Sequence, residues 1–91
     1  MDNDSIRNFY EELVFENIQK TLIDTGKIQT MDTVQDIACL ALNSLPARYI
    51  RYRVDTIFYM PDSEKKKMLD DVAAAVQESY KTVSSKPTRE D

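Results

Sequence analysis

A chain of 91 residues with a single glycine, Gly26, and three prolines, Pro46, Pro61 and Pro87, has very few places to turn. Glycine and proline are the strongest local punctuation in a sequence, so these four residues mark the expected breaks between its regular elements. Apolar spacing then decides which kind. In the first run Ile6, Tyr10, Leu13, Val14, Ile18 and Leu22 recur three or four apart, which predicts a helix over about 5–24. Ser5 is its expected N-cap and Gly26 its stop. Phe9, Phe15 and Ile23 lie off that stripe and suggest contact on two sides of the helix.

After a polar connection from Thr25 to Met31, Asp32 or Thr33 can cap a second helix over about 33–44. Val34, Ile37, Ala38, Ala41 and Leu45 keep its spacing, and Leu40 and Leu42 fill the sides, as in a central, buried helix. Pro46 disfavours helical geometry at Leu45 and ends it. Past Pro61, Asp62 or Ser63 caps a last helix over about 63–83. Its stripe is Leu69, Val72, Ala73, Val76, Tyr80 and Val83. Between them, residues 48–60 fit two readings. Ile50 to Asp55 alternate apolar and polar as a strand does, while Ile50, Val54 and Ile57 keep helical spacing. A lone strand needs a partner, and a second copy of the chain could supply it. The expected fold is therefore mainly α: one small domain over 1–83 of three main helices, with an extended segment possible within 48–60. A polar, disordered tail is expected over 84–91.

The chain holds no histidine, which removes the commonest general base and metal ligand. Its one cysteine, Cys39, cannot form an internal disulfide. It lies in the apolar run Ile37 to Leu42, where a small buried hydrophobe is the expected role. No metal site and no cofactor is expected. Glu12 with Glu16 and Asp70 with Asp71 read as solvated helix faces rather than catalytic pairs. The expectation is a protein that is not an enzyme. A net charge of −4 argues against DNA, RNA or membrane-surface binding. No run approaches the ~18 apolar residues of a membrane span. The polar N-terminus reads as no secretory signal, so the expected location is cytoplasmic.

One stretch stands apart. Arg48-Tyr49-Ile50-Arg51-Tyr52-Arg53 puts three arginines and two tyrosines into six residues of an acidic protein. Arginine forks onto phosphate or the O6/N7 edge of guanine, and tyrosine offers a stacking face with a hydroxyl. The same residues are enriched in protein interfaces, and an edge strand with solvated arginines would also account for them. Lys65, Lys66 and Lys67 add positive charge where a helix dipole does not favour it. This reads as solvent-facing lysine or a site for an acidic partner.

Tyr10-Glu11-Glu12-Leu13-Val14, together with the run from Asp36 to Tyr49 that contains Ala41-Leu42-Asn43-Ser44-Leu45-Pro46-Ala47-Arg48-Tyr49, resembles the late-competence ComFB family over roughly residues 6–83. Ala47 stands where the family pattern has a second proline. The resemblance implies a mainly helical, dimer-forming regulatory domain linked to cyclic di-GMP and through it to motility, pili and competence. A downstream regulatory protein is implied, and catalysis is not. The matching motif residues are Asp36, Asn43, Leu45, Pro46, Arg48 and Tyr49. Some relatives hold zinc on cysteines between the first two helices, and no cysteine stands between Thr25 and Met31 here. The expected site is ligand-binding: Arg48, Arg51 and Arg53 on phosphates or guanine edges, Tyr49 or Tyr52 stacking, and Asp36 or Asn43 at a base edge. The competing expectation is a protein-interaction adaptor with no small ligand.

Overall fold

The computed structural model describes residues 6–26 and 30–85. Six elements follow in order: β1 (Arg7–Asn8), α1 (Phe9–Thr25), α2 (Met31–Asn43), β2 (Tyr49–Ile50), α3 (Arg53–Tyr59) and α4 (Asp62–Ser85). The fold is mainly α, with the three long helices packed on one another and α4 lying most extensively along α2.

The core is what the helical spacing leads one to expect. Tyr10, Val14 and Ile18 come from α1, Ile37, Ala38 and Ala41 from α2, and Val72 and Val76 from α4. Each fully buried valine or isoleucine contributes about 1.5–3 kcal/mol relative to exposure. Ala38 and Ala41 have little side chain, so α2 can approach its neighbours closely. Phe9 joins this same core, whereas Phe15 and Ile23 remain exposed. On α4 the stripe is shifted by one position at its start. Met68 is buried and Leu69 and Ala73 face out, because Met68, Val72, Val76 and buried Ser79 stay on one side of a 3.6-residue helix.

Several boundaries move, for identifiable reasons. The position expected for the first cap, Ser5, lies outside the described residues. Asn8 caps α1 instead, its side chain accepting from the Tyr10 N–H at 3.2 Å. Ile6 precedes the helix and is exposed. Gly26 ends α1 in the left-handed conformation, φ 69°, with its N–H on the Leu22 and Ile23 carbonyls. A side chain there would meet no neighbour but would be strained in its backbone. Thr30, rather than Asp32 or Thr33, caps α2 by accepting from the Thr33 N–H at 3.1 Å.

Within residues 48–60 both periodicities are used in turn. Tyr49–Ile50 form a strand, and Arg53–Tyr59 form a helix. The strand's partner is not a second copy but β1 of the same chain, antiparallel, with Arg7 opposite Ile50 and Asn8 opposite Tyr49. The alternation buries Ile50 and exposes Tyr49. Met60 turns extended before Pro61, as a residue preceding proline must, and the Pro61 carbonyl accepts from the Lys65 N–H to open α4. Helix α4 includes Ser84 and Ser85 of the expected tail, and 86–91 lie outside the described residues.

Cys39 is a correction. It is exposed, because Ile37, Ala38 and Ala41 take the inward face of α2 and leave position 39 on the outside. No helix among the described residues is long and apolar enough to cross a membrane.

Candidate functional site

The basic–aromatic stretch sits where the chain leaves α2 and enters α3, and the backbone there is held by Asn8. One side-chain oxygen of Asn8 caps α1 and also accepts from the Arg48 N–H at 2.9 Å. The Arg48 carbonyl in turn accepts from the Phe9 N–H at 2.7 Å. Ile50 of β2 is buried, and its neighbours Tyr49 and Arg51 are exposed on either side of it.

The three arginines then meet different fates. Arg48 reaches the first turn of α4 and pairs with Glu64 at 2.5 Å. Arg53, at the start of α3, donates through Nε to Glu12 on α1. Arg51 has no carboxylate partner among the described residues. Its guanidinium lies 5.0 Å from the centroid of the Tyr52 ring, within the ~6 Å of a cation–π contact. Arg51, Tyr52, Arg53, Val54 and Asp55 line one shallow, open concavity of about 360 Å³. Chemically it offers an unpaired cation, an aromatic face and a second guanidinium that an anion could share with Glu12.

The other expected site residues stand apart from this concavity. Arg48 and Tyr49 flank it without lining it. Asp36 is half-buried on α2, and Asn43 is exposed at the end of that helix, its amide donating to the Cys39 sulfur at 3.7 Å. Leu45 and Pro46 line a second depression of about 350 Å³ with Ser44, Asp71, Ala74 and Ala75. Sequence reasoning missed Glu12 and Glu64 as partners of the arginines. They are 41 and 16 residues away from them, and no local pattern announces such pairs.

The remaining charge clusters are accounted for locally. Lys66 and Lys67 pair with Asp70 and Asp71 one turn on, at 2.9 and 2.8 Å. The Asp71 carboxylate, by hydrogen bond and then by charge, raises the Lys67 ammonium above its ordinary value. Among the described residues no group of three or more His, Cys, Asp or Glu could hold a metal ion.

A model of the family described as late competence development protein ComFB matches residues 7–87. The chain belongs to the ComFB family. The match spans every element from β1 to α4, so the fold described above is a ComFB fold and carries a competence-related regulatory role. Comparisons with curated proteins and with solved structures find no match. Within the ComFB fold, the Asn43 to Tyr49 run is the segment that leads from α2 into β2, directly ahead of the Arg51–Tyr52–Arg53 concavity.

Proposed function

We propose that this ComFB protein is a non-enzymatic, homodimeric receptor for cyclic di-GMP that regulates motility, pili or competence. The observation that carries the reading is the concavity in which the unpaired Arg51 guanidinium lies over Tyr52 beside Arg53. A cyclic dinucleotide needs positive charge for its phosphates and a flat face for its bases, and these residues offer both. The volume of about 360 Å³ falls at the small end of ligand pockets, roughly 300–1,000 Å³. A two-fold ligand matched to a two-fold dimer asks each copy for only half the contacts, which suits a depression this small and open. Arg48 and Arg53 contribute after exchanging Glu64 and Glu12 for phosphate.

A second reading is a protein-interaction adaptor with no small ligand. It is favoured by α3, which buries none of its seven residues. Thermal melting with and without cyclic dinucleotides separates the two. A ligand bound only by the folded state stabilises it by about 2.7 kcal/mol at a hundred times its dissociation constant. The receptor reading expects a higher midpoint with cyclic di-GMP, and the adaptor reading expects no change.

A further inference from the structure

Residues 51–59 form a bridge between two fixed points. Ile50 is buried in the core and Met60 packs against it, but none of the residues between them does so. Helix α3 makes up most of that bridge and buries none of its seven residues, with Val54, Phe58 and Tyr59 73%, 77% and 75% exposed. The polar and aromatic contacts of the bridge run mostly within it. The Arg51 guanidinium lies over the Tyr52 ring, the Thr56 hydroxyl donates to the Tyr52 carbonyl, and the Phe58 and Tyr59 rings meet edge-on at 5.1 Å. Among the described residues, one side-chain hydrogen bond leaves the bridge for another element: Arg53 donates to Glu12 in the first turn of α1. A helix of seven residues does not hold itself in water, where isolated helices shorter than about 12–15 residues are marginal. The Arg53–Glu12 pair is therefore the chief tie that keeps α3 in place.

We infer that this pair is a latch opened by ligand, an inference that rests on the receptor reading above: a phosphate that takes the Arg53 guanidinium displaces Glu12 and sets α3 loose. The pair is built to yield. The Arg53 side chain is 47% exposed and lines the concavity, so an incoming anion meets the same guanidinium that holds the helix. Glu12 engages it with one oxygen, and its other oxygen is buried without a hydrogen-bond partner. A phosphate can grip two guanidinium N–H groups at once, which is stronger than a single bond. A ligand shifts a conformation only by binding one arrangement better than the other. Exchanging a singly bonded carboxylate for a doubly bonded phosphate supplies that difference. Occupancy of the concavity then becomes freedom of an apolar, aromatic segment on the outside of the fold.

Amide hydrogen exchange of the full chain, read at Thr56 and Met60, tests the latch; their N–H groups bond the Tyr52 and Thr56 carbonyls of α3. Glu12→Gln opens the latch without ligand. Exchange at both amides rises about two- to fivefold, the factor a partly exposed ion pair is worth, while Val72 and Val76 of α4 stay protected. By linkage the same variant binds cyclic di-GMP about two- to fivefold more tightly. Glu11→Gln is the control. It removes the same charge from an exposed neighbour that is in no ion pair among the described residues, and leaves α3 exchange unchanged. In the wild type, saturating cyclic di-GMP speeds exchange at Thr56 and Met60. A Glu12→Gln protein that exchanges like the wild type overturns the latch, as does a Glu11→Gln protein that loosens α3 equally. Cyclic di-GMP that binds the wild type but leaves α3 exchange unchanged or slower overturns the latch alone and leaves the receptor standing. Absence of binding to both proteins overturns the receptor reading and the ligand-driven release with it.

Discussion

The Arg53 guanidinium donates through Nε to the Glu12 carboxylate, joining the start of α3 to the first turn of α1 across 41 residues of chain. It is the one ion pair among the described residues that ties α3 to the helical core, because α3 contributes no buried side chain of its own. The other Glu12 oxygen is buried and has no hydrogen-bond partner. The pair is therefore asymmetric. Arg53→Ala strands a half-buried carboxylate and should cost about 1–3 kcal/mol, whereas Glu12→Gln leaves an arginine that water can solvate and should cost less, about 1 kcal/mol or below. Urea denaturation of both variants checks the order, and equal costs would contradict it.

Asn8 does two tasks with one oxygen, capping α1 and holding the Arg48 N–H. Asn8→Ala should therefore cost more than an ordinary helix cap, about 1–2 kcal/mol. It should also speed amide hydrogen exchange at Arg48 and Tyr49 while leaving the middle of α4 protected. Exchange that changes uniformly across the chain would show that the cap alone matters.

Much of this architecture was legible in the sequence, and the parts that were not share a cause. Val14, Ile18, Ile37, Val72 and Val76 read correctly as core because helical periodicity is a local property that burial enforces. Gly26 and Pro46 read correctly as stops. Leu69 and Cys39 did not read correctly, because an apolar residue beside a stripe is indistinguishable from one on it until the neighbouring helix is placed. The strand–helix ambiguity of residues 48–60 was real, since Ile50 obeys one period and α3 the other. Its resolution depends on β1, which is two residues long and too short to leave a pattern. In the candidate site, Arg51 and Tyr52 stood out by residue type. Their inequality with Arg48 and Arg53 comes from Glu64 and Glu12, which only the fold brings near.

Lys67 offers a pH test of the charge ladder on α4. Its pKa is raised above the ordinary 10.5 by hydrogen bonding to Asp71 and then by that residue's charge. A group raised on folding stabilises fully below its unfolded pKa and loses that stabilisation as pH rises through the folded value. The pair is solvent-exposed, so the effect is small. The melting midpoint of wild type should exceed that of Lys67→Gln by a constant margin at neutral pH, and the margin should begin to shrink only once the pH passes about 10.5 and approaches the raised folded value. A margin that grew with alkaline pH would contradict the assignment.

The unequal arginines make unequal predictions for cyclic di-GMP. Arg51→Ala and Tyr52→Ala should each weaken binding by about tenfold or more, since the cation and the stacking face belong to one another. Arg48→Ala should cost less, because ligand must first displace Glu64. Glu64→Gln, which frees Arg48, should tighten binding. Competition isotherms for the four variants check this ordering. Undiminished binding in both Arg48→Ala and Arg51→Ala would sink the assignment of the site.

The central claim is that the Arg51–Tyr52–Arg53 concavity receives a cyclic dinucleotide. Titration calorimetry of the purified protein with cyclic di-GMP, with cyclic di-AMP and GTP as controls, tests it most directly. The account predicts saturable heat with cyclic di-GMP alone, at micromolar concentration or below. A folded protein that gives no heat with any of the three would contradict it and leave α3 as the surface of an adaptor.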